Sequence, residues 1–165
     1  MKNIFKIYIW LATIIGISIV VGLALYMQHV KEAVPCVNCI YIRVALISII
    51  LTSILGLAAY KLPTAQIAMA IANSTISFVG LKIAYHLHLL YKDPSLMDSC
   101  EMIPSLWIPL HKWIPSVFEP RGLCDDPGET ILSLTMTEWS IIIFVELIIV
   151  YLITAIYTAR QEYFK

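Results

Sequence analysis

Four stretches of this chain, each roughly twenty residues or longer, carry at most one charged side chain, and short polar breaks plus one long polar segment separate them. Residues 7–27 carry no charge, 40–60 only Arg43, 64–90 only Lys82, and 139–159 only Glu146. A helix needs about 20 apolar residues to cross a hydrocarbon layer about 30 Å thick, so the pattern predicts four transmembrane helices. The first stretch exceeds the roughly 7 to 15 apolar residues of a signal-peptide core, and no small-x-small cleavage site follows it, so it reads as a retained span. The expected fold is all-α and integral to the membrane. It is a single domain over residues 1–165, a four-transmembrane-helix bundle with outer loops at about 28–39 and 91–138.

Composition supports lipid as the solvent: 60% of the 165 residues are hydrophobic and only 13% are charged, against about 25% in an ordinary soluble domain. Formal net charge is zero and no lysine or arginine cluster occurs, which removes nucleic acid from the expected partners. Lys2, Lys6, Lys61, Arg160 and Lys165 fall on one side, and Lys31, Lys92, Lys112 and Arg121 on the other. That small excess favours cytoplasmic termini.

Two crossings separate Cys36 and Cys39 from Cys100 and Cys124, so all four cysteines share one face of the membrane. An even set of cysteines on one face suits an oxidising compartment such as the bacterial periplasm. Sequence alone does not choose among the three possible pairings, though proximity favours Cys36 with Cys39 and Cys100 with Cys124. Cys39 falls at the start of the second span, where the positive end of a helix makes the thiolate accessible. Pro35 suits such a helix start. Arg43, four residues on, shares the helix face of Cys39 and leans back toward it; from position alone it equally well marks the membrane edge by snorkelling. A Cys100–Cys124 bond would close a loop of about 25 residues and stabilise it by roughly 3 to 4 kcal/mol, and such a bond is often only a staple.

Pro104, Pro109, Pro115 and Pro120 break up the long outer segment. Its series Trp107, Ile108, Leu110, Trp113, Ile114, Val117 and Phe118 suits a layer resting in the membrane interface. Lys82 and Glu146 lie at similar depth, roughly 10 to 12 Å below the outer surface, which allows an ion pair between them. A snorkelling Lys82 and a protonated Glu146 are the alternative.

QHV at residues 28–30, PCVNCIYIR at 35–43, PLHKWIPSVF followed by GLC at 122–124, and LTMTEW at 134–139 together resemble the disulfide bond formation protein B family, DsbB. The motifs stand in family order over nearly the whole chain. The resemblance implies an enzyme of the bacterial inner membrane, a quinone-dependent oxidoreductase that re-oxidises the periplasmic thioredoxin-fold oxidase DsbA and feeds the respiratory chain through the quinone pool. It implies that DsbA attacks Cys100, that Cys124 then attacks Cys36, and that Cys39 faces a bound quinone, either ubiquinone or menaquinone. Arg43 would stabilise negative charge on Cys39 and on the quinone oxygen. Met136, and His86 or His88 at the outer end of the third span, are the further expected quinone contacts; Leu87 occupies the position where relatives carry a histidine. Ile42 replaces the acidic residue of the best-known relatives.

Three other readings compete. A membrane metal protein would use the CxxC with a histidine, although the resemblance implies no metal. A four-span scaffold would use its disulfides only to hold loops. An enzyme like vitamin K epoxide reductase would place the loop pair before the CxxC, whereas here it follows.

Overall fold

The structure, a computed structural model, describes residues 2–93, 95, 104–105, 108–122, 124 and 130–163. Four long helices dominate: α1 (Lys2–Val30), α2 (Val37–Ala58), α3 (Pro63–Lys92) and α6 (Met136–Tyr163). All four are long and apolar enough to cross a membrane, which makes this a multi-pass membrane protein. Between α3 and α6 lie two short helices, α4 (Leu110–Trp113) and α5 (Pro115–Phe118), and a hairpin of β1 (Thr130–Ile131) and β2 (Leu134–Thr135).

Three of the spans, α1, α3 and α6, extend beyond their apolar stretches at both ends, because flanking polar residues continue the helix, whereas α2 starts early at Val37 and stops at Ala58. α1 ends where Glu32 adopts a left-handed conformation (φ 56°) and Ala33 N–H reaches back to the Met27 carbonyl at 3.1 Å. A residue in the left-handed conformation just past the last turn is a common way for a helix to stop. α3 starts with Pro63 in its first turn, where a missing N–H costs nothing. Thr135 and Glu138 set the start of α6: the Glu138 carboxylate accepts from the Thr135 N–H at 2.8 Å, and the Thr135 hydroxyl accepts from the Glu138 N–H at 3.2 Å. That reciprocal capping box fixes the angle at which α6 enters.

Helix α1 packs on α2, α2 on α3, and α3 most extensively on α6. Gly80 makes the α3–α6 seam close, since a Cβ there would overlap the Phe144 ring. The inner half of the bundle is tied by buried polar groups. Trp10 Nε1 donates to Gln66 Oε1 at 2.6 Å, Gln66 Nε2 donates to the Gly56 carbonyl, and Asn73 Nδ2 donates to Ser53 Oγ at 3.0 Å. Ser53 in turn bonds the Tyr151 hydroxyl at 3.0 Å, and the Trp10 and Tyr151 rings lie 5.4 Å apart. In hydrocarbon such groups must find partners within the protein, and here they join α1, α2, α3 and α6.

The ion pair expected between Lys82 and Glu146 does not form. Both side chains are exposed on the outside of the bundle. The Gly80–Phe144 seam explains this, because residues two positions further along each helix point roughly 200° away from it.

In the outer segment, Ile108, Trp113 and Ile114 are exposed while Phe118 is buried, the division expected of an amphipathic layer at an interface. Trp107 lies outside the described residues.

Candidate functional site

Cys36 is the N-cap of α2 and Cys39 lies in its first turn. The Cys36 sulfur accepts from the Cys39 N–H at 3.4 Å and lies 3.0 Å from the Cys39 sulfur. Both are free thiols, whereas Cys124 is disulfide-bonded. The hydrogen bond to Cys39, reinforced by burial, holds Cys36 well above the usual thiol pKa.

The loop is fastened onto this CxxC. The Pro35 carbonyl accepts from Arg121 N–H at 2.9 Å and from Gly122 N–H at 3.1 Å. Only glycine permits so close an approach, since a Cβ at 122 would stand 2.5 Å from the Val34 carbonyl oxygen. Two residues on, Cys124 is fully buried in the same cluster as Cys36, and Asn38 Nδ2 lies 3.8 Å from its sulfur. Cys100, expected as its disulfide partner, lies outside the described residues.

Below Cys39 a cavity of about 370 Å³ opens between the outer halves of α1, α2 and α6. Its wall is mostly apolar, from Val20 and Met27 of α1 to Met136, Trp139 and Ile143 of α6, with Cys39 and Arg43 among its few polar or reactive groups. Leu23, at its edge, is exposed on the membrane-facing surface. The β1–β2 hairpin covers the outer end: Leu132 and Ser133 turn with φ of 52° and 67°, and the Ile131 carbonyl accepts from Trp139 Nε1 at 3.0 Å. Positive φ at both central residues is the type I′ geometry that matches strand twist.

Arg43 is only 5% exposed. Its Nη1 donates to Gln28 Oε1 at 2.8 Å and to the Val117 carbonyl, while Gln28 Nε2 donates to the Ser116 carbonyl at 3.1 Å. The guanidinium thus ties the end of α1 and the loop helix α5 to α2. Arg43 Nε is buried with no hydrogen-bond partner. This is an unmet donor beside the cavity.

The structure brings Cys39, Arg43 and Met136 to one cavity and sets Cys36 and Cys124 above it. His86 and His88 stand apart: both are half-buried and neither lines the cavity, because Leu87, fully buried, is the residue that this turn of α3 directs inward. From α3 the cavity receives Tyr91 instead, whose hydroxyl accepts from Thr137 Oγ1 at 3.4 Å. Sequence reasoning passed over Tyr91 and Asn38. The first had only the weak signal of an aromatic at a span end; the second sits inside the CxxC itself. Among the described residues no cluster of three His, Cys, Asp or Glu side chains is arranged to hold a metal.

A CxxC at a helix start and a loop cysteine fastened against it stand beside a cavity lined by the second sulfur. The model of the disulfide bond formation protein DsbB family matches residues 6–154, nearly the whole chain. The chain belongs to the DsbB family. Disulfide bond formation protein B of Shewanella denitrificans is 37% identical over 132 residues, covering 79% of this chain and 75% of that protein. Disulfide bond formation protein B 2 of Pseudomonas aeruginosa is 37% identical over 142 residues, covering 82% of each. Membership of DsbB makes the chain a membrane disulfide bond formation protein, and its CxxC and loop disulfide are the groups able to exchange disulfides.

Proposed function

We propose that this protein is a thiol:quinone oxidoreductase of the bacterial inner membrane that re-oxidises a DsbA-type thioredoxin-fold oxidase. Its termini are cytoplasmic and its cysteine loops periplasmic. One observation carries the reading: the Cys124 sulfur lies against the CxxC, and the CxxC's second sulfur lines the cavity, so a sulfur path runs from the outer loop into the membrane.

The steps on the chain's own residues balance as ordinary exchanges. A partner thiolate attacks Cys100, forming a mixed disulfide and releasing Cys124 as thiolate. Cys124 attacks Cys36 of an oxidised CxxC, forming a Cys36–Cys124 bond and releasing Cys39. The partner's second thiol resolves the mixed disulfide; Cys100 is released, re-forms its bond with Cys124, and frees Cys36. The partner has lost two electrons and the CxxC has gained them.

The cavity fits a quinone on three counts: a largely apolar wall, a thiol at its edge, and the buried Arg43 Nε with no acceptor. A ubiquinone or menaquinone bound there supplies a two-electron acceptor that is soluble in lipid and continuous with the respiratory chain. Cys39, Arg43 and Met136 would hold it, with the guanidinium offering a hydrogen bond to a carbonyl oxygen. Full-length protein given a reduced DsbA-type partner and quinone should turn over, and Cys39→Ser and Cys100→Ser should each abolish turnover. Quinone-dependent turnover surviving either substitution contradicts the relay.

A further inference from the structure

We propose that Asn38, the residue immediately before Cys39 in the CxxC, is a catalytic residue of the loop disulfide, its amide N–H stabilising the Cys124 thiolate that exchange releases. The inference rests on the relay just described and assigns a role to a residue that the relay leaves unused.

Cys124 is fully buried, so water cannot solvate a thiolate formed there. A buried anion needs a donor from the protein. Asn38 Nδ2 lies 3.8 Å from the Cys124 sulfur, and as a residue of the first turn of α2 it brings that donor at the positive end of the helix. Val37, the other residue between the CxxC cysteines, is apolar and buried, so Asn38 supplies the polar side chain of the pair. Among the described residues, the titratable or charged groups near this end of α2 and on the loop are Cys36, Cys39, Tyr41 and Arg43 of α2, and Glu119 and Arg121 of the loop; Arg43 is engaged by Gln28 and the Val117 carbonyl, and Tyr41 by Ser105. The Arg121 guanidinium is held by Glu119 at 2.8 Å and both are exposed, so its charge is already engaged.

The chemistry gains direction from this contact. When an incoming thiolate attacks a disulfide, a bond forms to one sulfur and the other leaves with the electron pair. The sulfur with the lower thiol pKa leaves faster. Burial shields Cys124 from a protein-sized nucleophile, and Asn38 makes Cys124 the better leaving sulfur. Both effects send the attack to the other sulfur of its disulfide, which the relay takes as Cys100. Cys124 is then released beside Cys36, the sulfur it must attack next.

The test is the pH dependence of iodoacetamide alkylation of Cys124 in the fully reduced, full-length protein, read cysteine by cysteine by mass spectrometry. Asn38→Leu keeps the size and removes the donor; the Cys124 midpoint should rise by about one pH unit, as for loss of one hydrogen bond to a charged group. Asn38→Asp replaces the donor with a carboxylate and should raise it further. A Cys124 midpoint unchanged in both variants overturns the proposal, and so does a midpoint lowered by Asn38→Asp. No quinone or partner enters the measurement. A flat alkylation result alongside intact quinone turnover therefore removes only the role of Asn38, whereas lost turnover chemistry with a shifted midpoint removes only the relay.

Discussion

Replacing Gly122 by alanine should uncouple the loop from the CxxC while leaving each disulfide intact. The new Cβ would stand 2.5 Å from the Val34 carbonyl oxygen and 3.1 Å from its Cγ2, and the nearest of these is backbone that cannot swing aside. The loop must therefore lift, and with it go the hydrogen bonds from Arg121 and Gly122 to the Pro35 carbonyl, at 2.9 and 3.1 Å. At about 0.5 to 1.5 kcal/mol each, their loss lowers the docking equilibrium constant roughly 5- to 150-fold. Transfer from Cys124 to Cys36 should slow by up to that factor, because it requires the two sulfurs in contact. The assay mixes oxidised protein with a reduced dithiol partner, quenches with acid at successive times, alkylates the free thiols and identifies them by mass spectrometry. The first mixed disulfide should form at the wild-type rate and the appearance of free Cys39 should lag. Gly22→Ala is the control, since nothing lies within 4 Å of a Cβ there. Transfer at the wild-type rate in Gly122→Ala, or an equal slowing in Gly22→Ala, refutes the docking argument.

Arg43→Lys keeps the charge but loses the planar fork that holds Gln28 and the Val117 carbonyl together. Quinone KM should rise about tenfold or more, with a smaller change in the rate of exchange at Cys100, measured by varying quinone and partner separately. Gly80→Val should drive a side chain into the Phe144 ring and cost about 1 to 3 kcal/mol by thermal unfolding in detergent, and Phe144→Leu should recover part of that loss. The reduced protein should lose stability as pH rises past about 9. There an unfolded Cys36 ionises while the folded one, its pKa raised by Cys39 and by burial, keeps its proton. Unfolding of reduced and oxidised protein compared at pH 8 and pH 10 checks this, and the oxidised form should show no such loss from Cys36.

Bulk apolarity and covalent chemistry were the most legible parts of this chain. Four nearly uncharged stretches were enough to give the spans, because hydrocarbon tolerates few alternatives to a helix. Their ends were less legible. Polar residues such as Gln28 and Lys92 continue the helices, and the stop of α1 depends on Glu32 entering a left-handed turn that no glycine advertises. The capping box at Thr135 and Glu138 was present in LTMTEW and carries its own physical signal. The hairpin was hidden, since Leu132 and Ser133 are poor markers of a type I′ turn. Equal depth suggested a bond between Lys82 and Glu146, but helix rotation, set by the Gly80–Phe144 seam, decides which way each points. Rotation likewise puts Tyr91 in the cavity wall and keeps His86 and His88 out of it. Where the sulfurs meet depends on a carbonyl at Pro35 and a missing side chain at Gly122, contacts between segments far apart in sequence.

The central claim is that electrons leave a dithiol partner, cross four cysteines and reach a quinone in the cavity beside Cys39. A single-turnover experiment with full-length protein, one equivalent of reduced partner and excess quinone tests it most directly. Partner thiols, each protein cysteine and quinol are followed in the same sample. The account predicts one quinol per partner disulfide formed, with Cys39→Ser stopping quinol formation while a mixed disulfide at Cys100 still appears. Partner oxidation without a matching yield of quinol, or quinol formed by Cys39→Ser, would contradict it.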